Sequence, residues 1–375
     1  VLAVAFVVLA AVPAVATDSD AEESGSSPTE VFVSATGNDT SGDGTKEKPF
    51  ATIEKAKNTV ADGGKISIIG DLTNSVTGTT ITSEILINKN VTIDGAYTAD
   101  GVQKRAKLTD FALHPSAKTF VLKNIDFENK AIHKDRLLYG YYNSNDSSIT
   151  VENCSFTLDE KTDLSYNGKS HALHLGGYTT VTINNITVDG YQRGVNLQQI
   201  ATVTVSDSTM TLSTADDIPS KAYNFALMNN ADVTITGCSV DFTGNGTAEQ
   251  YEISVDSGKA QSFAKLKTNL DIGNQAVSKV NEKGGDVTIT DLEFTDDASL
   301  EGNVIVTGTV KVADGKTVTV AKDSVLILSG VNAKDPSGTV KAAAGGFIAK
   351  TSDASKVTKV NTKAFTVYPD AIQKL

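Results

Sequence analysis

The chain has 375 residues, 39% of them hydrophobic and 21% charged, which is too apolar for a disordered polymer and long enough for a large folded body. Its formal net charge is −12 and Lys and Arg are nowhere clustered, so the footprint that draws phosphate backbones or anionic lipid is missing and nucleic acid is excluded as an expected partner. An acidic surface of this kind suits divalent cations, neutral glycans or solubility alone.

Residues 1–16 form an apolar run interrupted by Pro13 and closing on Ala14-Val15-Ala16, before the polar Thr17-Asp18-Ser19-Asp20. This is the pattern of a signal peptide cleaved after Ala16, and it falls short of the roughly 18 to 20 apolar residues of a membrane helix. Residues 17–29, acidic and Ser-rich without periodicity, are expected to form a flexible leader. The mature chain is therefore expected to be secreted or held at the cell surface, with no membrane span.

The body is expected to open with a strand at Val31-Phe32-Val33-Ser34 and a loop Asn38-Asp39-x-x-Gly42-Asp43-Gly44-Thr45. A helix starting in Pro49-Phe50-Ala51-Thr52-Ile53-Glu54-Lys55-Ala56 and a strand through Ile66 and Ile68 follow. Ile53, Ala56 and Val60 share one helical face, which predicts a helix covering the open end of an apolar interior. Asp39, Ser41 and Asp43 imitate the first half of a calcium loop. Phe50 stands where that loop needs a bidentate Glu, so a Gly/Asp turn competes with a Ca2+ site here.

The central region repeats. Leu173-x-Leu175 then Val181-x-Ile183-x-Asn185-x-x-Val188, Val195-x-Leu197 then Val203-x-Val205-x-Asp207-x-x-Met210, and Phe225-x-Leu227 then Val233-x-Ile235-x-Gly237-x-x-Val240 align without a gap. Shorter copies end at Asn124-x-x-Phe127, Asn153-x-x-Phe156 and Asp291-x-x-Phe294. Apolar residues alternate within each copy, as in a strand with one buried face, and the phase slips by one at the Asn, Asp or Gly. Those residues tolerate the left-handed region, so each can bend the strand and re-aim the following side chains inward. A strand, a one-residue corner and another strand, repeated along the chain, make one coil of a β-helix. Residues 30–297 are read as that solenoid.

Coils stack about 4.8 Å apart, so equivalent residues form columns. Cys154 and Cys238 fall in one column with Ile186 and Ser208 between them, a separation of roughly 14 Å at that spacing and too far for a disulfide. Two buried free thiols are predicted. Among the glycosylation sequons, Asn153 and Asn185 sit at corners, where amide stacking is expected, whereas Asn145 and Asn245 lie in loops and suit a glycan better.

The same alignment places His171 beside Arg193 and Tyr223, and His174 beside Asn196 and Ala226. Loops at 159–163, 189–193, 216–221 and 249–252 leave successive coils at equivalent points and offer carboxylates, cations and rings. A polar groove of His171, His174, Arg193 and Asn196, with Tyr191 and near Asp216 and Asp217, is the expected ligand-binding site. There rings would stack on sugar faces and carboxylates would accept hydroxyl hydrogen bonds. Solvated loop residues without a ligand are the plain alternative. If the chain is catalytic, the candidates are Asp216, Asp217, Arg193 and Lys221: two carboxylates for hydrolysis, or carboxylates holding Ca2+ beside a cationic base for β-elimination.

Past Asp297 the pattern changes to short pairs, Val304/Val306, Val310/Val312, Val318/Val320 and Val325/Ile327, with Gly308 and Asp314-Gly315 in the turns. Residues 298–375 are read as a smaller β-solenoid or cap with an irregular tail.

From Val31 to Phe294 the chain resembles the pectate-lyase-like right-handed parallel β-helix superfamily, on its opening strand, Gly/Asp loop and Pro-Phe-Ala-Thr-Ile helix. Its C-terminal repeats look like those of adhesin-like surface proteins of bacteria and archaea. The resemblance implies a packed interior, with function on the outer faces and loops. The chain carries neither the Gly-His-Gly nor the Arg-Ile-Lys found in pectinases. The leading expectation is a non-catalytic, adhesin-like scaffold for surface glycans or neighbouring surface proteins. A polysaccharide lyase or glycoside hydrolase is the alternative, and structural packing in a surface layer is a third reading.

Overall fold

The structure, a computed structural model, describes residues 26–351 apart from 75–79, 82–83, 131, 134–135, 159–170, 192, 214–221, 229–231, 244–249, 256–260, 272–277, 281–285, 295–296, 301–302 and 330–337. The expected signal peptide, Asp216, Asp217, Lys221 and Asn245 lie outside the described residues.

The chain winds as a parallel β-helix. Every strand pairing among the described residues is parallel except one hairpin, Ala96–Ala99 against Val102–Arg105. A twenty-stranded sheet runs the length of the body, a seven-stranded sheet forms a second wall, and a four-stranded sheet continues near the C-terminal end. The predicted columns hold in the register: Val181 pairs with Val203 and then Val233, and Ile183 with Val205 and then Ile235. All six are fully buried. Phe127 and Phe156 stack in the next row, ring centroids 5.2 Å apart and nearly coplanar in orientation, an arrangement that adds about 0.5–1.5 kcal/mol to simple burial.

The corners are real left-handed residues. Asn124, Asn153, Asn185 and Asp207 have φ of 58°, 52°, 50° and 52°. Three of these side chains do more than tolerate the bend. Asn185 Nδ2 donates to Asn153 Oδ1 (2.7 Å), Asn153 Nδ2 to Asn124 Oδ1 (3.3 Å), and Asn124 Nδ2 to Asp94 Oδ1 (2.8 Å). The corner amides therefore form a ladder ending on a carboxylate, which satisfies the amides without a glycan.

Higher up, the expected corners at Gly237 and Asp291 do not break the strands. Asp232–Thr243 and Asp286–Phe294 each run through. Their pairings instead show register shifts between Ile235 and Cys238 and between Ile289 and Asp291.

At the N-terminal end the helix is Ile53–Thr59, with Ile53, Ala56 and Val60 buried as the sequence predicts. Thr52 Oγ1 caps it by accepting from Lys55 N at 3.1 Å, and Asp39 holds that cap in place. Asp39 Oδ1 accepts from Ala51 N and Thr52 N, and its Oδ2 accepts from Thr52 Oγ1 (2.6 Å). Asp43 Oδ1 accepts from Thr45 N and Thr45 Oγ1, and the Thr45 hydroxyl holds its carboxyl below the usual range. Of the two readings of Asp39, Ser41 and Asp43, these hydrogen bonds are those of the Gly/Asp turn. The Asp39 carboxylate is turned onto the helix cap and that of Asp43 onto its own loop, and among the described residues no group of three or more His, Cys, Asp or Glu is placed to hold an ion.

The C-terminal coils continue the long sheet, with Asp286–Phe294 followed by Asn303–Val312, Val325–Ser329 and Phe347–Thr351. One expected pair is out of phase. Val304 and Val306 pair with Leu326 and Leu328, so these two join the core rather than Val325 and Ile327. Val325, Leu326, Ile327 and Leu328 are all apolar and all buried, so alternation could not choose between the two sets. Cys154 and Cys238 are buried and neither is in a disulfide. Among the described residues no helix is long and apolar enough to cross a membrane.

Candidate functional site

The outer face of the seven-stranded sheet collects the rings. Leu86, His114, Tyr139, His174, Asn196 and Ala226 follow one another across adjacent strands. The His114 and Tyr139 rings are 4.6 Å apart, and Tyr139 and His174 meet edge-on at 5.4 Å. Behind them Leu113, Leu138, Leu173, Val195 and Leu197 are fully buried, so the strands that carry the rings are anchored in the core.

His171 joins this face through a local change of phase. Ala172 and Leu173 are consecutive core residues, as are Leu137 and Leu138 in the strand below. Two inward residues in succession put the residues on either side of them on the outer face. His171 and His174 therefore come within 5.7 Å of each other although they are three positions apart. His171 is 6% exposed, and Asn196 Nδ2 lies 3.5 Å from its Nε2, in range to donate when that nitrogen is unprotonated. Asn196 Oδ1 in turn accepts from Gln198 Nε2 at 3.1 Å. Arg193 pairs with His171 below and Tyr223 above, the column expected from the repeat.

A second row lies alongside. Tyr141 pairs with Gly176, and a Cβ at Gly176 would sit 2.8 Å from the Tyr141 ring, so the glycine lets the ring lie flat across the neighbouring strand. The Tyr141 hydroxyl reaches Gln199 Oε1 at 2.9 Å. At the other end His114 Nδ1 is 3.1 Å from Glu84 Oε2, a hydrogen bond that becomes an ion pair when the imidazole is protonated.

One expected member is corrected. Tyr191, anticipated as a ring for a sugar face, is 4% exposed and part of the core. Gly190 turns at φ 78°, and a Cβ there would lie 2.5 Å from Leu158 O, so the chain enters tightly and sends the next side chain inward. Its hydroxyl has no hydrogen-bond partner among the described residues, and burial pushes the phenol far above its ordinary range. It serves packing.

His171, His174, Arg193 and Asn196 therefore share one face, as expected, and Asp216, Asp217 and Lys221 lie outside the described residues. Sequence reasoning passed over His114, Tyr139 and Tyr141. The strand of Tyr139 and Tyr141 carries Gly140 where the repeat has Leu175 or Leu197, which broke the apolar-x-apolar match, and His114 lies on the three-residue strand Leu113–Pro115. Aligning Leu138 with Leu173 would have placed Tyr139 over His174. The face that results combines flat rings with amides and a guanidinium, groups that suit stacking and hydrogen bonding to a polyhydroxylated chain.

No protein-family model matches the chain, and no curated protein matches it. Among solved structures it is similar to one described as a rhamnogalacturonan lyase, at 12% identity and a TM-score of 0.36, over 86% of this chain and 87% of that chain. At that TM-score the likeness carries no argument about chemistry, and the β-helix assignment rests on the chain's own parallel ladders.

Proposed function

We propose that this chain is an exported, surface-associated, non-catalytic scaffold whose seven-stranded sheet binds glycan on its outer face. The observation that carries the reading is the His114, Tyr139 and His174 row, its neighbouring rings 4.6 and 5.4 Å apart and flanked by Asn196 and Gln198. An extended polysaccharide can lay successive residues along such a row, with stacking from the rings and hydrogen bonds from the amides. A neighbouring surface protein would use the same face through its own polar groups. The enzymatic alternative depends on Arg193, which shares this face, and on Asp216, Asp217 and Lys221, outside the described residues; the ring row by itself supports binding.

Affinity electrophoresis through gels containing neutral and acidic polysaccharides tests it. At least one polysaccharide should retard the wild-type chain. Tyr139→Ala and His174→Ala should each weaken retardation about tenfold, the worth of one ring contact near 1.4 kcal/mol. Retardation by none of the gels, or equal retardation of the doubly substituted chain, would sink the proposal. Export is tested separately by sequencing the N-terminus of the mature protein, expected at Thr17.

A further inference from the structure

On the long sheet, near the N-terminal end, one coil departs from the corner rule. In the coil above it Asn124 leads directly into Ile125. Here Gly95 takes the corner, with its N–H donating to Lys123 O at 3.0 Å, and the partner of Ile125 is Ala106. Residues 96–105 are thus an insertion at the bend. They fold as the antiparallel hairpin, closed by Asp100 and Gly101 at φ 54° and 75°, the pair of positive values that a tight two-residue turn requires. Arg105 pairs with Asp126 and donates to Asn153 O, which fastens the base of the hairpin to the solenoid. The insertion adds no coil, and ordering it costs about 1–2 kcal/mol of backbone entropy per residue.

The hairpin leans over the outer face of the first two strands and leaves a cleft of about 270 Å³. Phe32 and Tyr97 supply apolar ring surface, and Lys46, Lys65, Glu30 and Ser67 supply polar groups. Glu30 accepts from the Ser67 hydroxyl at 2.7 Å, which holds its carboxyl below the usual range. It is also 3.2 Å from the Lys65 ammonium. Lys65 also lies 3.5 Å from the Asp94 carboxylate, which is shared with Lys123 at 3.6 Å. Lys46 has no ion pair among the described residues. The cleft walls therefore present two ammonium groups against one carboxylate, beside two rings.

We propose that this cleft binds a small ring compound bearing one carboxylate. Its acid group meets Lys46 and Lys65, and its ring face lies on Tyr97 and Phe32. The volume admits one six-membered ring with its substituents, and the surplus positive charge selects the acid over its neutral counterpart. A sugar acid and an aromatic acid share this chemistry.

Isothermal titration calorimetry on the full chain with sodium glucuronate, sodium benzoate and glucose separates the sources. Binding of either acid, weakened about tenfold by Lys46→Gln and absent for glucose, is the expected result. Whichever acid binds more tightly names the source. Lys46 is exposed, so its substitution leaves the fold intact, and Tyr97→Ala should weaken binding as well. No heat with either acid, equal binding of glucose, or an affinity unchanged by Lys46→Gln would overturn the proposal. None of these outcomes bears on the seven-stranded face, whose variants are read on polysaccharide gels.

Discussion

The coils from Thr119 to Ser213 and those from Asp232 to Phe294 repeat one motif but turn differently. In the lower coils a single Asn or Asp makes the bend at positive φ, and the side chains of Asn124, Asn153 and Asn185 bond upward to downward. In the upper coils the strands run through, and register shifts absorb the change of phase. Gly237 offers no side chain to a ladder. The motif residue thus has two roles, permitting the left-handed bend and bonding to its neighbours, and a glycine can fill the first without the second.

The sharpest way to break that comparison begins in the core. Phe156→Ala removes one of two stacked rings and should lower stability by about 3–5 kcal/mol, read from the midpoint of urea unfolding. A smaller effect is expected at the corner. Asn153→Ala loses the ladder bonds and strains the bend, about 2–3 kcal/mol in all, whereas Asn153→Gly keeps the bend and should lose about 1 kcal/mol. Asp291→Ala in the upper coils, where no corner forms, should stay within about 0.5 kcal/mol. Equal losses for Asn153→Ala and Asp291→Ala would erase the distinction between the two regions.

Acid sharpens the comparison further, because the ladder ends on Asp94. Burial pushes the Asp94 carboxyl up, but the Asn124 amide, the Ala96 N–H and the Lys65 and Lys123 ammonium groups together hold it below its ordinary value. A depressed folded pKa contributes stability above the unfolded value of about 3.9, and that contribution is lost as pH falls through the folded pKa. Asp94→Asn should therefore flatten the fall of Tm between about pH 5 and pH 2. An unchanged profile would remove Asp94 from the ladder's end.

The smallest energetic effect, but a clear count, concerns the thiols. Burial pushes the Cys154 thiol up to about 12, so the native chain should resist thiol reagents at neutral pH. After denaturation without reductant, both Cys154 and Cys238 should react. Neither reacting would place a disulfide where the stacking forbids one.

Much of the candidate site was legible. The columns of His171 with Arg193 and of His174 with Asn196 follow from alignment alone, since a repeat whose buried face alternates leaves one register open to stacked coils. Tyr191 was misread because the left-handed turn at Gly190 changes which way the following side chain faces. Tyr139 was missed because Gly140 interrupts the apolar pattern of its strand while still packing beneath Leu175.

By itself the amino-acid order determined the coil, its inner rows, the corner residues of the lower coils, the capping helix and the separation of the cysteines. All of these depend on local periodicity and on residues that tolerate a left-handed backbone. Tertiary structure alone decided that Leu326 and Leu328 face the core, that the upper strands pass through their expected corners, and that residues 96–105 fold back into a cleft. In each case the local pattern permits more than one arrangement, and the choice falls to a partner strand or sheet face that no short window of sequence contains.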